Sequence, residues 1–457
     1  MDNILDLYDQ AMFLGERATG ATSLIQFIWV YNRAIDVDGL RQFHHQLQRG
    51  RLARRIERSP LPFGRHRWVF RAESYDIETV ATPRPRAEFD DWLNKQANTV
   101  LDAEHGPGWH LAVLPFADGG AGVSFVITHC LTDGLGLCEA LADATCGRQG
   151  PISWPAAESR PRWQALHQDA RQLARDVPSV GRAVTAAAKL ARRNRIHYKS
   201  AAALAANSAR PPVGSDRPIT IPTETMFLST DQWDAVAHSL GGSSNTLLAG
   251  IAARLAERIG RVSADGTITL SIPVNQRIDA DTRANALSNI DISVDAASAW
   301  KDLRDIRAAT KQALIRHQEV PDERWTLLPL VPMLPKRLFR RMVGVVGSST
   351  TTIASNVGAF NPAVNRADGT DADYFAMRSL YPGVTETTMY RTGGVLALAS
   401  GRVHGHVFVS VIGYQPGGRN TNDRLRQALL GTLDDFSLTP TTGWPRNEQC
   451  TLSHKCP

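Results

Sequence analysis

The sequence predicts an α/β protein in two halves. The chain has 457 residues, which is too long for one ordinary hydrophobic core. In each half, apolar runs of strand length alternate with longer segments of helical periodicity, as in sheets covered by helices. Pro211, Pro212 and Pro218 mark a linker between the halves. With 43% apolar and 21% charged residues, the composition is that of a folded protein rather than a disordered one.

The first half is predicted to mix strands and helices. A run rich in Ile, Phe, Trp and Val predicts a strand over residues 23–31. Two more apolar runs, over residues 109–116 and 121–128, flank a Gly-containing turn and predict a hairpin. Capping residues and periodicity predict helices over residues 38–49, 89–98 and 136–146.

The middle of the chain is strongly basic. Residues 160–199 contain ten Lys or Arg and two Asp, more excess positive charge than the +6 of the whole chain. The Ala- and Arg-rich composition favours helix. Because proline disfavours helix in the residue before it, Pro178 predicts a break between two helices. These predicted helices cover residues 163–176 and about 180–195.

The second half repeats the α/β pattern. The predicted strands cover residues 225–229, 267–272 and 403–412, and the predicted helices cover residues 230–240 and 244–259. The second of these helices has apolar residues at helical spacing: Leu247, Leu248, Ile251, Leu255 and Ile259. We therefore predict an N-terminal domain over residues 1–160, a basic helical crossover and linker over residues 161–218, and a C-terminal domain over residues 219–457.

The five cysteines show no spacing typical of metal ligands. We expect buried thiols at Cys130, Cys138 and Cys146 rather than a disulfide framework. His404 and His406 alternate along a predicted strand and would share one of its faces. No Cys, Asp or Glu stands at ligand spacing nearby, so no metal site is expected.

Neither a signal peptide nor a membrane-spanning segment is expected. The first residues lack a basic segment followed by an apolar one. The apolar runs are shorter than the roughly 18 residues that cross a bilayer. The sequence therefore predicts a cytoplasmic protein.

The most informative stretch of the chain is Thr128-His129-Cys130-Leu131-Thr132-Asp133-Gly134, which follows an apolar run. A histidine at a strand end is a candidate general base, because imidazole titrates near neutral pH. Asp133, four residues later, is close enough to fix the loop. Gly134 is expected to allow a backbone conformation that a side chain would forbid.

The pattern His-x-x-x-Asp-Gly resembles the active-site motif of CoA- and carrier-dependent acyltransferases. This superfamily includes condensation domains of peptide synthetases, plant-type alcohol acyltransferases, polyketide-associated acyltransferases and bacterial wax ester synthase/diacylglycerol acyltransferases. Five further stretches resemble superfamily elements in the same order, over nearly the whole chain. They cover residues 7–16, 106–109, 244–249, 273–277 with 284–285, and 355–358.

The chain departs from the superfamily pattern at three positions. Thr128 stands in place of the first of two adjacent histidines, and the resemblance marks the second one, His129, as catalytic. Thr246 stands where Asp is usual, and Ala284 stands where Gly is usual. Thr128 bears on the subfamily more than on the activity, and the changes at positions 246 and 284 weigh against the wax and triacylglycerol branch specifically.

The resemblance implies two chloramphenicol-acetyltransferase-like α/β domains with mixed sheets and an interdomain tunnel. His129 would be the general base, and Asp133 would organise the loop by pairing with Arg277. Asn285 and Asn356 would position the substrates or polarise the thioester carbonyl, unless they only cap loops.

The implied reaction moves an acyl group from acyl-CoA, or from a carrier-bound phosphopantetheine thioester, to an alcohol or amine. The thioester is a co-substrate, and no bound cofactor is expected. The absence of a Gly-x-Ser-x-Gly elbow from the sequence argues against a serine hydrolase. Two alternatives stay open: a carrier-protein-dependent condensation enzyme of natural-product or complex-lipid assembly, and a non-catalytic ligand-binding module of the same fold.

The basic segment has three interpretations. It is a solvated crossover, a peripheral contact with an anionic membrane, or a surface that attracts the phosphates of CoA or of an acyl-carrier protein. Nucleic acid is not an expected partner, because no recognition motif or aromatic platform accompanies the charge.

Overall fold

The computed structural model describes residues 3–71, 75–148, 153–205, 217–263, 265–279, 281–320, 323–337 and 351–445. The helices are α1 (Leu7–Thr19), α2 (Val37–Leu47), α3 (Phe89–Gln96), α4 (Gly134–Thr145), α5 (Arg162–Ala205), α6 (Thr230–Ser239), α7 (Ser244–Arg258), α8 (Arg304–Glu319), α9 (Glu323–Thr326), α10 (Glu386–Thr392) and α11 (Asn422–Asp435). The strands are β1 (Leu24–Tyr31), β2 (Arg54–Glu57), β3 (Arg67–Phe70), β4 (Glu78–Thr79), β5 (Trp109–Pro115), β6 (Ala121–Thr128), β7 (Thr223–Ser229), β8 (Thr267–Asn275), β9 (Leu287–Asp295), β10 (Thr352–Ala359), β11 (Tyr374–Leu380), β12 (Val395–Val403), β13 (His406–Tyr414) and β14 (Thr441–Thr442). No helix in this described part of the chain is long and apolar enough to cross a membrane.

The first large sheet has five strands in the order β11-β1-β6-β5-β4. Strand β1 is antiparallel to both of its neighbours. Strands β5 and β6 form the predicted hairpin, whereas β4 is parallel to β5. Every residue of β1 and β6 is buried, so both faces of the sheet are covered at its centre.

The second large sheet has seven strands in the order β14-β7-β13-β12-β10-β8-β9. Strand β10 is parallel to β8 and β12, and the other pairs are antiparallel. Both large sheets are therefore mixed, as predicted. Strands β2 and β3 form a separate two-stranded ribbon.

Strand β11 joins the first sheet although it comes from the second half of the chain. Its Phe375 ring lies 5.3 Å from the Phe27 ring and 5.2 Å from the Phe360 ring, measured between centroids. Phe375 also contacts Phe408 of β13, at 6.1 Å. This aromatic cluster connects the two sheets, and the first sheet is not built from residues 1–160 alone.

Helix α7 lies in the core that covers the second sheet. Four of its predicted apolar positions are at most 1% exposed: Leu247, Leu248, Ile251 and Leu255. A capping box between Ser243 and Thr246 opens the helix. The Thr246 hydroxyl accepts from the backbone N–H of Ser243, and the backbone N–H of Thr246 donates to the Ser243 hydroxyl.

Helix α5 is one continuous helix of 44 residues, so the predicted break at Pro178 is wrong. Proline removes one N–H donor and crowds the preceding turn, which weakens a helix without always ending it. The body of the protein also holds the helix before this point. Asp169, which is 1% exposed, accepts hydrogen bonds from Arg67 and Arg160. Tertiary contacts thus hold the first part of α5 in place, which local helix propensity alone does not predict.

The strand predicted over residues 403–412 is instead a hairpin. Strand β12 ends at Val403, and β13 begins at His406 after a turn at His404 and Gly405. His404 has a positive φ of 47°, and its Nε2 lies 2.8 Å from Asp371. The two histidines therefore do not share a face of one strand. The prediction failed because apolar and polar residues alternate on both sides of the turn without interruption, as they would in a single strand.

The prediction of buried thiols is correct for two cysteines and wrong for the third. Cys130 and Cys138 are buried, whereas Cys146 is exposed. Cys146 follows the last residue of α4, where the helix reaches the surface.

Candidate active site

His129 lies where β6 leaves the first sheet. Its backbone N–H donates to the Ser23 carbonyl at 2.8 Å, and its own carbonyl accepts from Nδ2 of Asn285 at 3.0 Å. The imidazole lines a cavity of about 300 Å³. Hydrogen bonds of the backbone thus fix the residue at the wall of the cavity.

The cavity that holds His129 lies between the two large sheets. Residues of α1, β1 and β11 line one side, and residues of β8, β10, β12 and β13 line the other. Many of the lining side chains are apolar, among them Ile25, Leu135, Val357, Met377 and Leu398. A second cavity of about 430 Å³ shares Leu135, Asn275 and Val357 with the first.

Asp133 has its carboxylate occupied by protein donors. One oxygen accepts from the backbone N–H of Gly136 at 2.7 Å and caps α4. The other accepts from Arg277 and from the backbone N–H of Ala286, both at 2.8 Å. The ion pair with Arg277 that the resemblance implied is therefore present. A carboxylate held in this way ties the histidine loop to the segment between β8 and β9.

Gly134 is required neither by a left-handed backbone conformation nor by lack of space for a side chain. It is the first residue of α4 and is not among the glycines with positive φ, so the expected backbone role is wrong. A Cβ added there would lie 3.4 Å from Sδ of Met377. Space is limiting instead at Gly136, which the sequence analysis missed. A Cβ at that position would lie 2.8 Å from the Arg277 guanidinium.

Thr128, which precedes His129 in the motif, is fully buried. Its hydroxyl donates to Glu16 of α1 at 3.3 Å, and Glu16 also accepts from the Ser23 backbone N–H at 3.1 Å. Burial raises the pKa of Glu16 to about 7, although these hydrogen bonds oppose the shift. The first position of the motif thus anchors the strand end to α1.

We expect Glu16→Gln to change the pH dependence of stability. A raised pKa in the folded state means that the protonated acid contributes stability below about pH 4.5, and this contribution is lost as pH rises to about 7. Glutamine does not ionise, so the variant does not lose this contribution to stability. The melting temperature of the variant, relative to that of the parent protein, should therefore rise as the pH increases from 4.5 to 7. Parallel melting curves over this range would contradict the raised pKa.

Asn285 is buried and connects His129 to a carboxylate that the sequence analysis did not single out. Its Nδ2 donates to Oδ1 of Asp9 at 3.0 Å as well as to the His129 carbonyl. Asp9 also accepts from the backbone N–H groups of Ala284 and Asn285, at 2.8 and 2.9 Å. Burial raises the pKa of Asp9 to about 7. The only sequence signal for Asp9 was its place in the segment 7–16.

Arg54 is the second buried charged residue that the sequence analysis missed. It donates to the carbonyl of Leu131 inside the histidine loop and to the carbonyl of Thr282. Its guanidinium lies 4.3 Å from the centroid of the Trp68 ring. Burial lowers the pKa of Arg54 to about 9, and the negative charge of Asp9 opposes this shift. Nothing in the local sequence distinguishes this arginine from a surface one.

Asn356 lines the same cavity but is bound to the second sheet and its helix. Its Nδ2 donates to Oγ of Ser244 at 3.0 Å and to Oδ1 of Asn245 at 2.7 Å. Its Oδ1 accepts from the backbone N–H of Gly358 at 2.9 Å. The side chain thus joins β10 to the start of α7.

The electrostatic surroundings of His129 keep its imidazole neutral. Burial lowers the pKa of the ring below its usual value, and Asp133, the His129 carbonyl and Asn285 oppose the shift only in part. A neutral imidazole is the form that accepts a proton.

One group of side chains outside the cavity has the geometry of metal ligands. In the described part of the chain, ligand atoms of Asp102, Glu104 and His105 lie within 4.8 Å of one another. Arg17 pairs with both acids, and Arg58 pairs with Glu104. The arginines account for the cluster as an ion-pair network.

No protein-family model and no curated protein matches the sequence. Solved structures match over nearly the whole chain. The first condensation domain of the calcium-dependent antibiotic synthetase, in complex with a substrate analogue, is 14% identical, with a TM-score of 0.55 and coverage of 96% of both chains. The wax ester synthase/diacylglycerol acyltransferase from Marinobacter aquaeolei VT8 is 15% identical, with a TM-score of 0.55 and coverage of 96% of this chain and 99% of that one. The chain has their fold.

A third structure, the polyketide synthase associated protein 5 from Mycobacterium tuberculosis, matches to the same degree. It is 15% identical, with a TM-score of 0.53 and coverage of 95% of this chain and 98% of that one. The predicted fold class, with two α/β domains and mixed sheets, is therefore confirmed. At these identities the likeness establishes the fold, while the activities named belong to the neighbours.

Proposed function

We propose that the protein is an acyltransferase that uses an acyl-CoA or a carrier-bound phosphopantetheine thioester and acylates an alcohol or an amine. The observation that carries the proposal is the position of His129. Its backbone is held on both sides, its pKa is lowered, and its ring faces a largely apolar cavity between two sheets. A neutral imidazole there can take a proton from an acceptor, and the apolar walls suit an acyl chain.

In the proposed reaction, Nε2 of His129 takes the proton of the acceptor hydroxyl or amine as that group attacks the thioester carbonyl carbon. The tetrahedral intermediate then collapses, and the C–S bond breaks. The thiolate leaves and receives the proton from the imidazolium. Holding donor and acceptor in line within the cavity would supply much of the remaining acceleration.

The hydrogen bonds of Asn285 and Asn356 favour positioning roles for these residues. The Nδ2 group of each residue already donates to two protein acceptors. A side-chain amide has only two N–H donors, so neither residue has one left for a thioester carbonyl. We therefore assign both residues to holding the loops that shape the cavity.

We also propose that the two adjoining cavities are parts of one tunnel between the domains predicted over residues 1–160 and 219–457, with β11 crossing between them. The first cavity holds His129. The second cavity is lined by three arginines and three acidic residues: Arg51, Arg148, Arg277, Glu139, Asp143 and Asp279. The polar arm of a thioester donor suits the charged second cavity, and the acyl group of the donor suits the apolar cavity that holds His129.

The proposal is tested by incubating the purified protein with a panel of acyl-CoAs of increasing chain length and with alcohol or amine acceptors. Release of free thiol should depend on the acceptor, and mass spectrometry should find the matching ester or amide. Thiol release without acceptor would indicate hydrolysis instead.

Acyl-carrier protein as donor separates the alternatives. Turnover with the carrier thioester but not with acyl-CoA would assign the protein to carrier-dependent assembly. A ligand that co-purifies and binds in the cavity, with no turnover on either donor, would identify a binding module and would contradict the proposed activity.

The exposed face of α5 supports a peripheral contact with an anionic membrane. Exposed apolar or small residues recur at every third or fourth position: Trp163, Leu166, Ala170, Ala174, Val177, Gly181, Val184 and Ala188. An exposed basic row follows this stripe: Arg171, Arg175, Arg182 and Lys189. Trp163 and Val177 are 71% and 61% exposed, which is unusual for large apolar side chains. Between residues 162 and 192 the two acids turn inward, since Asp169 is buried and Asp176 pairs with Arg65.

We expect reversal of charge in this basic row to weaken binding to lipid vesicles. The variant Arg171→Glu/Arg175→Glu/Arg182→Glu should bind phosphatidylglycerol vesicles at least about 10-fold less tightly, because each basic residue near such a surface contributes about 1 kcal/mol. Co-sedimentation measures the affinity. The matched control, Arg307→Glu/Lys311→Glu/Arg316→Glu, makes the same charge change on exposed positions of α8. Equal losses of affinity in both variants would contradict a contact through α5. Equally tight binding of the parent protein to phosphatidylcholine vesicles would contradict a contact that depends on an anionic surface.

A further inference from the structure

Asp9 is a buried carboxylate for which the proposed reaction has not yet required a role. It is 0% exposed and lies on α1, far in sequence from the histidine loop and from the segment that follows β8. Three N–H groups converge on it, from the backbone of Ala284 and from the backbone and side chain of Asn285. An ionised carboxylate can only accept, so it determines which end of the Asn285 amide faces it.

The orientation of this amide bears on His129. With Nδ2 shared between Asp9 and the His129 carbonyl, Oδ1 of Asn285 is left without a hydrogen-bond partner among the described residues, although it is buried. Nδ1 of His129 is also buried and likewise unpaired in the described part of the chain. The Asn285 side chain nevertheless lies beside His129, because its Nδ2 donates to the His129 carbonyl at 3.0 Å. The two unpaired atoms are thus a potential donor and acceptor in two residues that this hydrogen bond already joins.

We infer that Asp9 is a positioning residue, which orients the Asn285 amide so that Oδ1 accepts a hydrogen bond from Nδ1–H of His129. This bond and the nearby His129 carbonyl favour the tautomer with the proton on Nδ1. The lone pair is then on Nε2, on the side of the ring that faces the cavity. Asp9 therefore acts through Asn285 and touches no substrate. This inference rests on the proposed function for its kinetic consequence but not for the tautomer itself.

Substitution of Asp9 by Asn tests the assignment with little change in shape. An asparagine at this position can turn its own amide, so the Asn285 amide is no longer held in one orientation. Nitrogen-15 NMR on histidine-labelled protein, at pH 8 to stay above the raised pKa of Asp9, reports which ring nitrogen carries the proton. His129→Gln identifies the His129 signals among those of the 13 histidines. We expect the Nδ1–H tautomer in the parent protein and a mixture of tautomers in Asp9→Asn.

Kinetics and a control separate positioning from general loss of structure. In Asp9→Asn, kcat should fall by the factor by which the Nδ1–H tautomer is depleted, with KM within twofold, because only that tautomer leaves the lone pair on Nε2 while the cavity keeps its shape. Asp169→Asn is the matched control: Asp169 is 1% exposed and is bound by Arg67, Arg160 and Ser59. It should leave the His129 tautomer unchanged.

Asn285→Ala provides the second variant if Asp9→Asn does not fold, since the two backbone donors to Asp9 remain. It should give the same mixture of tautomers. An unchanged Nδ1–H tautomer in the folded variants overturns the inference. A changed tautomer in a protein that shows no transfer with any thioester would instead reject the proposed function and leave the role of Asp9 standing.

Discussion

We expect His129→Ala to lower kcat for acyl transfer by roughly 10²- to 10⁴-fold, the range typical of a lost general base. His129 lines the cavity, and its backbone N–H and carbonyl are bound by Ser23 and Asn285 independently of the ring. The substitution should therefore remove the base without releasing the loop. Steady-state kinetics with the best thioester and acceptor, and circular dichroism of the same sample, measure both effects.

His44→Ala is the matched control for this variant. His44 is 8% exposed, and burial lowers its pKa in the same direction, but it lies on α2 outside the cavity. Its removal should leave turnover unchanged. A normal kcat in His129→Ala would reject His129 as the base, and equal losses in both variants would attribute the effect to packing.

Asp133→Ala should lower the free energy of unfolding by about 3 to 5 kcal/mol, because it leaves a buried arginine without its counter-charge. The Asp133 and Arg277 side chains are only 6% and 4% exposed. The substitution also frees the backbone N–H groups of Gly136 and Ala286. Urea unfolding at pH 7 gives the difference. Loss of activity in this variant would follow from displacement of the loop and would not show a chemical role for Asp133.

Two comparisons sharpen this expectation. The double variant Asp133→Ala/Arg277→Met should lose less than the sum of the single losses, since no charge is left unpaired. Arg254→Ala breaks an ion pair with Asp435 whose side chains are 21% and 20% exposed, and it should cost about 1 kcal/mol or less. Additive losses in the double variant, or a loss in Asp133→Ala as small as that in Arg254→Ala, would show that the buried pair does not hold the loop.

Much of the candidate site was predictable because its key residues belong to one short motif. His129 and Asp133 are four residues apart, and the elements on either side have clear periodicity, so a histidine at a strand end followed by a helix cap could be inferred locally. The pairing of Asp133 with Arg277 needed the resemblance, because 143 intervening residues separate them in the chain. Asp9 and Arg54 could not be identified from the sequence because most of their hydrogen-bond partners are backbone groups, which nearly every residue type has.

The fold was predictable to the extent that it depends on local pattern. The apolar face of α7 and the β5–β6 hairpin follow from spacing alone. The insertion of β11 into the first sheet does not, because any apolar strand can pair with any sheet edge, and here an aromatic cluster around Phe375 accompanies the choice. The hairpin turn at His404 was hidden for a similar reason, since alternation continues through it.

The sequence by itself determined the α/β class and the position of His129 at the end of a strand. Tertiary structure alone decided that α5 continues through Pro178, that Gly136 leaves room for Arg277, and that Asp9 faces Asn285. The physical reason is the range of the interactions. Periodicity and capping act over a few residues, whereas buried charges and strand partners are selected by burial across the whole chain.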